Sequence, residues 1–139
     1  MPNPVTETAA APPALAVEHF AGKLAFETDC ADVHDALKGG EPGFVLLETR
    51  GPGAYARGHV PCALNLPHRA MTEEALAAWP PDTLFVVYCA GPHCNGADRA
   101  ALRLARLGRR VRTMPGGMVG WAAEGFPLAT GEAPGSLAV

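Results

Sequence analysis

Two cysteines five residues apart mark a loop built for anion chemistry, AGPHCNG over residues 90–96: Cys89 precedes it and Cys94 lies within it. An apolar run, Leu84-Phe85-Val86-Val87-Tyr88, leads into Cys89 and reads as a buried strand. A helical pattern opens at Ala97. A thiol at the carboxyl end of a strand, before a glycine-rich loop and a helix N-terminus, faces unpaired backbone N–H groups. Such groups favour negative charge, so they favour a thiolate over a thiol of ordinary pKa near ~8.5. Cys89 is therefore the candidate nucleophile. Ala90, Gly91, His93, Cys94, Asn95 and Gly96 are the candidate cradle.

Each loop residue carries its own expectation. Gly91 and Gly96 would let the backbone curl with positive φ. Pro92 stiffens the loop and removes one donor. His93 is the only loop side chain able to become cationic. Asn95 suits the N-cap of the following helix. Asp98, in the first turn, competes with the thiolate for the same positive end. Cys94 is a candidate resolving thiol that could attack an oxidised or persulfidated Cys89; a core-facing loop cysteine is the plainer reading. The two thiols without a second Cys/His pair give no zinc spacing, so no metal and no cofactor are expected. No dinucleotide fingerprint or P-loop is present.

The remaining elements must position that loop. With 139 residues, 48% hydrophobic and 18% charged, the chain fits one globular domain. Its formal charge of −3 argues against a nucleic-acid or membrane-surface partner. No stretch has the length of a membrane span, and residues 1–13 lack a signal-peptide pattern. Four scattered cysteines do not make a secreted disulfide framework, so a cytoplasmic location is expected. Residues 1–13 read as a disordered tail, 14–131 as the domain and 132–139 as a C-terminal tail. A short amphipathic helix is expected over 14–22, a strand over 23–27 and a helix capped by Thr28 or Asp29. A buried strand follows at 44–48, then loop over 51–61 and a short strand at 63–66. Thr72 caps a helix that Pro80-Pro81 breaks. After the central strand–loop–helix come a strand at 110–114 and a helical turn through Trp121. Strands alternating with helices predict an α/β domain around a mostly parallel sheet, with its site beyond the strands' carboxyl ends.

Three ordered motifs resemble the rhodanese-like family of sulfurtransferases. FVLLETRGPGAYARGHVPCALNLP (44–67) is similar to the family's strand, Asp-x-Arg, Tyr, Gly-His-Ile-Pro-Gly-Ala and Asn pattern. VVYC (86–89) is similar to the strand that delivers the catalytic cysteine, and PGGMVGWAAEGFP (115–127) to its closing Gly-Gly and Trp segment. The resemblance implies a rhodanese-like domain, a five-stranded mostly parallel sheet flanked by helices on both faces. It implies that Cys89 accepts a sulfane sulfur as a persulfide from thiosulfate or a persulfide donor. The acceptor would be a thiol, cyanide or a sulfur-acceptor protein. Arg50, paired with Glu48, Glu124 or backbone carbonyls, would support the site's floor, and His59 would be a structural hydrogen-bonding residue.

The departures from the pattern are specific. Glu48 stands for the usual Asp, Cys62 for Gly, and Cys94 for the loop arginine. The loop is one residue longer than usual, a length similar to the cell-cycle phosphatases, but Asn95 replaces their final arginine. An alternative therefore stays open: a thiol redox or oxyanion enzyme, arsenate-reductase-like or phosphatase-like, using Cys89 with Cys94. A non-catalytic binding module is a third reading. Arg99, Arg103, Arg106 and Arg110 are expected on one helical face, a solvated surface or a docking patch for an acidic sulfur carrier.

Overall fold

The computed structural model describes residue 1 and residues 3–137. The last two residues of the expected C-terminal tail lie outside the described residues. The order is α1 (Pro13–Phe26), α2 (Cys30–Lys38), β1 (Val45–Glu48), α3 (Pro52–Arg57), β2 (Leu64–Asn65), α4 (Glu73–Leu76), β3 (Leu84–Tyr88), α5 (Gly96–Arg106), β4 (Arg110–Thr113) and α6 (Gly117–Ala123). A 3-10 turn, His68–Ala70, precedes α4. The strands form one parallel sheet in the order β2-β1-β3-β4.

The sheet has four strands among the described residues, not the expected five. The expected first strand over 23–27 is the last turns of α1, and only Glu27 is extended. Glu27 makes a single parallel bridge to Thr113 beside β4, with Thr28 N–H donating to the Thr113 carbonyl at 2.8 Å. The fifth position is thus reduced to one bridge. Helix α1 buries none of its residues, and Leu15, Val17, Phe20, Leu24 and Phe26 are all exposed. Asp29 caps α2 by accepting from the Asp32 amide at 2.8 Å.

Residues 52–57, expected as loop, form α3. Pro52 occupies the first turn, where its missing N–H costs nothing. Tyr55 anchors the turn: its hydroxyl donates to the Ala63 carbonyl at 2.5 Å, and its ring stacks on His59 at 3.7 Å. His59 is fully buried and structural, with Nδ1 2.8 Å from the Tyr55 carbonyl and Nε2 3.1 Å from those of Ala133 and Pro134. Cys62 N–H donates to the Pro134 carbonyl at 3.0 Å, and Leu137 packs on the core, so residues 133–137 lie against the domain.

Period-two alternation along β3 sorts the core. Val86 and Tyr88 face α2 and α6, with Val33, Leu37, Met114 and Trp121. Phe85, Val87 and Cys89 face the other side, with Leu76, Ala97, Ala100 and Leu104. Cys89 continues the Phe85–Val87 face, so the strand's own geometry aims its side chain at the start of α5. The small residues Ala97 and Ala100 let that helix approach β3 closely. Each fully buried Leu, Val or Phe here contributes about 1.5–3 kcal/mol.

Cys62 is the one described non-glycine residue with positive φ, +76°. A β-carbon in this left-handed region is strained by about 1–2 kcal/mol, partly offset by the entropy glycine loses on folding. Cys62→Gly is therefore expected to raise stability by about 0.5 kcal/mol in urea denaturation.

Candidate active site

Cys89 follows directly on β3, and only 6% of its surface is exposed. Its carbonyl accepts from Met118 N–H at 3.1 Å, and the Ala90 carbonyl accepts from Val119 N–H at 2.9 Å. Across a trans peptide the C=O and N–H point in opposite directions. Tying these two carbonyls to α6 therefore turns the amides of Ala90 and Gly91 away from α6, and the Ala90 amide reaches the sulfurs of both Cys89 and Cys94.

The far side of the loop is the start of α5. Its first intrahelical bond is Arg99 N–H to the Asn95 carbonyl at 3.0 Å, so the amides of Gly96, Ala97 and Asp98 precede the ladder. The Gly96 amide donates to the Cys94 sulfur. Cys94 N–H closes a turn onto the Gly91 carbonyl at 3.0 Å, which folds Cys94 back over Cys89. The two side chains form a hydrogen-bonded pair, and both are free thiols. Cys89, Cys94, Gly91, Ala97, Asp98 and Met114 are among the residues lining a cavity of about 50 Å³. That volume suits one or two heavy atoms beyond the thiols, a single added sulfur among them.

The charge is not distributed as the sequence suggests. Burial pushes the Cys89 thiol up, and Cys94 pushes it further, against the Ala90 amide and the Thr49 hydroxyl. Cys94 is held below the ordinary thiol range, first by its hydrogen bond with Cys89 and then by the Gly96 amide. The half-buried sulfur with the most donors therefore ionises first, and the buried one keeps the shared proton. The cradle serves a cysteine pair, with Cys94 the member favoured for the negative charge.

Thr49 is a site residue that the sequence reading passed over. Its hydroxyl donates to the Tyr88 carbonyl at 3.0 Å and lies against the Cys89 sulfur. The signal was present: Thr49 follows β1, and alternation places it on the Leu47 face, the same face as Cys89. Glu48 and Arg50 lie on the opposite face, beside Tyr88 rather than beside the sulfur. Arg50 Nε and Nη2 donate to the fully buried Glu48 carboxylate, and Nη2 also reaches the Gly58 carbonyl at 2.6 Å. Burial nevertheless keeps the Glu48 carboxyl above its ordinary range, with Arg50 pulling the other way. The pair fixes the corner between β1 and α3, so its support of the site is indirect.

Other expectations are corrected. Asn95 does not cap α5 with its side chain; its Oδ1 accepts from Arg99 Nε at 3.1 Å. Neither Gly91 nor Gly96 has positive φ. They provide room: a β-carbon on Gly96 would sit 2.8 Å from the Cys89 sulfur, and one on Gly91 3.1 Å from Val119. His93 is exposed. Arg99, Arg103 and Arg106 edge a groove of about 370 Å³ with His68, Leu102 and Leu107. Arg110 is not among them, because α5 ends at Arg106 and Arg110 opens β4, bonded to the Asp82 carbonyl at 3.0 Å. Among the described residues no three His, Cys, Asp or Glu side chains cluster to hold a metal ion, and no helix is long and apolar enough to cross a membrane.

Residues 29–124 match the family model described as a rhodanese-like domain. The chain belongs to the rhodanese-like family. It is 30% identical over 102 residues to a sulfurtransferase of Allochromatium vinosum, covering 73% of this chain and 86% of that protein. It is 35% identical over 91 residues to the HTH-type transcriptional regulator Rv0324 of Mycobacterium tuberculosis, covering 65% of this chain and 39% of the regulator. The chain thus spans about two fifths of that regulator's length. The crystal structure of the BH2092 protein from Bacillus halodurans superposes with a TM-score of 0.82 at 33% identity, covering 87% of this chain and 88% of that one. The fold is the α/β rhodanese-like one, of sulfurtransferase type. Against the family pattern, Cys62 has put a β-carbon where the backbone is left-handed, and Cys94 has put a second thiol over the first.

The closing Gly-Gly of this rhodanese-like domain has a geometric reason. Gly117 has φ +56°, and a β-carbon there would lie 2.4 Å from the Cys89 carbonyl and 2.8 Å from the Gly91 nitrogen. Both are backbone atoms that cannot step aside. Trp121, whose Nε1 donates to the Pro127 carbonyl at 2.8 Å, holds α6 in place behind it. Gly117→Ala should cost about 3 kcal/mol or more in urea denaturation, through overpacking and strain together. Arg50→Met leaves the Glu48 carboxylate buried without its partner and should cost about 3–5 kcal/mol at neutral pH. Without Arg50 the carboxyl's pKa rises further, so Glu48 takes a proton as pH falls. The same denaturation at pH 5 should therefore show a smaller loss.

Proposed function

We propose that the protein is a sulfurtransferase that moves a sulfane sulfur through a persulfide on Cys89. The carrying observation is the Cys89 side chain facing a small cavity at the carboxyl end of β3, with the Ala90 amide and the Thr49 hydroxyl at its sulfur. A thiolate on Cys89 attacks the outer sulfur of the donor. That sulfur–sulfur bond breaks, a new one forms to Cys89, and the donor's remainder leaves with the electron pair. When ionised, the product persulfide carries its charge on the outer sulfur, where the loop amides can receive it.

The donor that fits best is a persulfide. Thiosulfate carries two negative charges, and the loop offers no arginine to meet them. The one nearby guanidinium that the sequence brings to the loop, Arg99, is bound to Asn95. The same lack counts against arsenate-reductase-like or phosphatase-like chemistry, which needs a clamp on its oxyanion. The acceptor is a small thiol, cyanide, or a sulfur-carrier protein whose acidic surface would meet the Arg99–Arg103–Arg106 groove. Four free thiols suit a reducing compartment such as the cytoplasm.

Incubation with glutathione persulfide should add the mass of one sulfur to the protein. Cys89→Ser should abolish the gain, and retention of the gain in that variant would contradict the proposal. Because Cys89 is held above the ordinary thiol range, the loading rate should climb with pH into the alkaline region. Cys94→Ser removes one of the two influences that raise Cys89, so its pH–rate profile should lie at lower pH than that of the wild type.

A further inference from the structure

The loop places a second thiol on the cavity that Cys89 faces. Cys94 folds back on the Gly91 carbonyl, lines the same small cavity as Cys89, and forms a hydrogen-bonded pair with it. The sulfur that forms the thiolate first is Cys94, which takes the Gly96 amide. An external acceptor must enter this cavity, whereas Cys94 already lines it.

We propose that Cys94 is an internal acceptor, which discharges the Cys89 persulfide as hydrosulfide and leaves a Cys89–Cys94 disulfide. This rests on the reading of Cys89 as the sulfur carrier and names the fate of its sulfur. The Cys94 thiolate attacks the inner, Cys89 sulfur of the protonated persulfide. A bond forms between the two cysteine sulfurs, and the bond from Cys89 to the outer sulfur breaks. The outer sulfur leaves as HS⁻ with the electron pair and the persulfide's proton. The sulfane sulfur is reduced by two electrons, and the two cysteine thiols are oxidised to the disulfide. A dithiol reductant, such as a small dithiol or a protein with a Cys-x-x-Cys site, returns both thiols for the next turnover. The net reaction is reduction of a persulfide to a thiol and hydrosulfide.

Three features of the site fit this step. The cavity has room for the one added sulfur and little more. The attacking group is the member of the pair that ionises at the lower pH. The position is one where the family pattern has an arginine, so the thiol replaces a group that would hold an anion with one that can react with it.

The test uses full-length protein loaded anaerobically with glutathione persulfide and freed of small molecules. Hydrosulfide release and intact mass are followed without added reductant. In the wild type the extra sulfur should leave as one equivalent of hydrosulfide, and the mass should settle two hydrogens below that of the unloaded protein. Cys94→Ser and Cys94→Ala should take up the sulfur, keep it and release hydrosulfide only when dithiothreitol is added. Wild type that holds its sulfur as long as these variants would overturn the proposal while leaving the Cys89 carrier intact. So would variants that no longer load, because the sulfur would then be landing on Cys94. If no form, wild type included, takes up sulfur, the carrier reading itself falls and this step with it.

Discussion

The site depends on two hydrogen bonds that are not at the sulfur. Met118 and Val119, at the start of α6, hold the carbonyls of Cys89 and Ala90. Once those carbonyls are fixed, planarity leaves the amides on the other side of each peptide no choice of direction. The two bonds require α6 to lie against the loop backbone, and that requires the absence of a side chain at Gly117. Trp121, fully buried, and the ring of Phe126 stacked on His34 at 3.9 Å keep the helix pressed there. Core packing on one face of the sheet thereby sets electrostatics on the other.

Within that frame the second cysteine changes what the loop does. A lone Cys89 would receive the Ala90 amide, with the Thr49 hydroxyl beside it, opposed by burial. With Cys94 on the same cavity, the two thiols shift each other in opposite directions, Cys89 up and Cys94 down. Arg99, a turn further along α5, brings no free cation to them, since Asn95 holds its guanidinium.

Much of this was legible in the residues, for identifiable reasons. β3 could be read to the residue because an unbroken apolar run between a turn and a loop has few other fates, and the position of Cys89 followed from it. Thr72 and Asp29 declared their helix starts through side chains that compete for backbone amides. The misreadings also have causes. Residues 23–27 alternate too weakly to specify a strand, and α1 exposes its apolar residues, so local pattern and burial disagree there. The Gly-Pro-Gly of residues 51–53 hides α3, which is held by Tyr55 reaching Ala63, a contact that spacing alone does not reveal. Asn95 is a good cap by residue type, but Arg99 one turn on takes its oxygen. The sharing of charge between Cys89 and Cys94 depends on which amides face which sulfur. That is fixed by α6, twenty-odd residues downstream, and so was out of reach of a local reading.

The central claim is that the loop amides serve a cysteine pair in which Cys94 ionises before Cys89. The most direct measurement is a pH titration of the two cysteine ¹³Cβ chemical shifts in the reduced protein. The account predicts that the Cys94 signal moves at lower pH than a free cysteine and the Cys89 signal at higher pH, each sensing the other's step. A Cys89 signal that titrates first, or two signals that titrate independently near the ordinary thiol value, would contradict it.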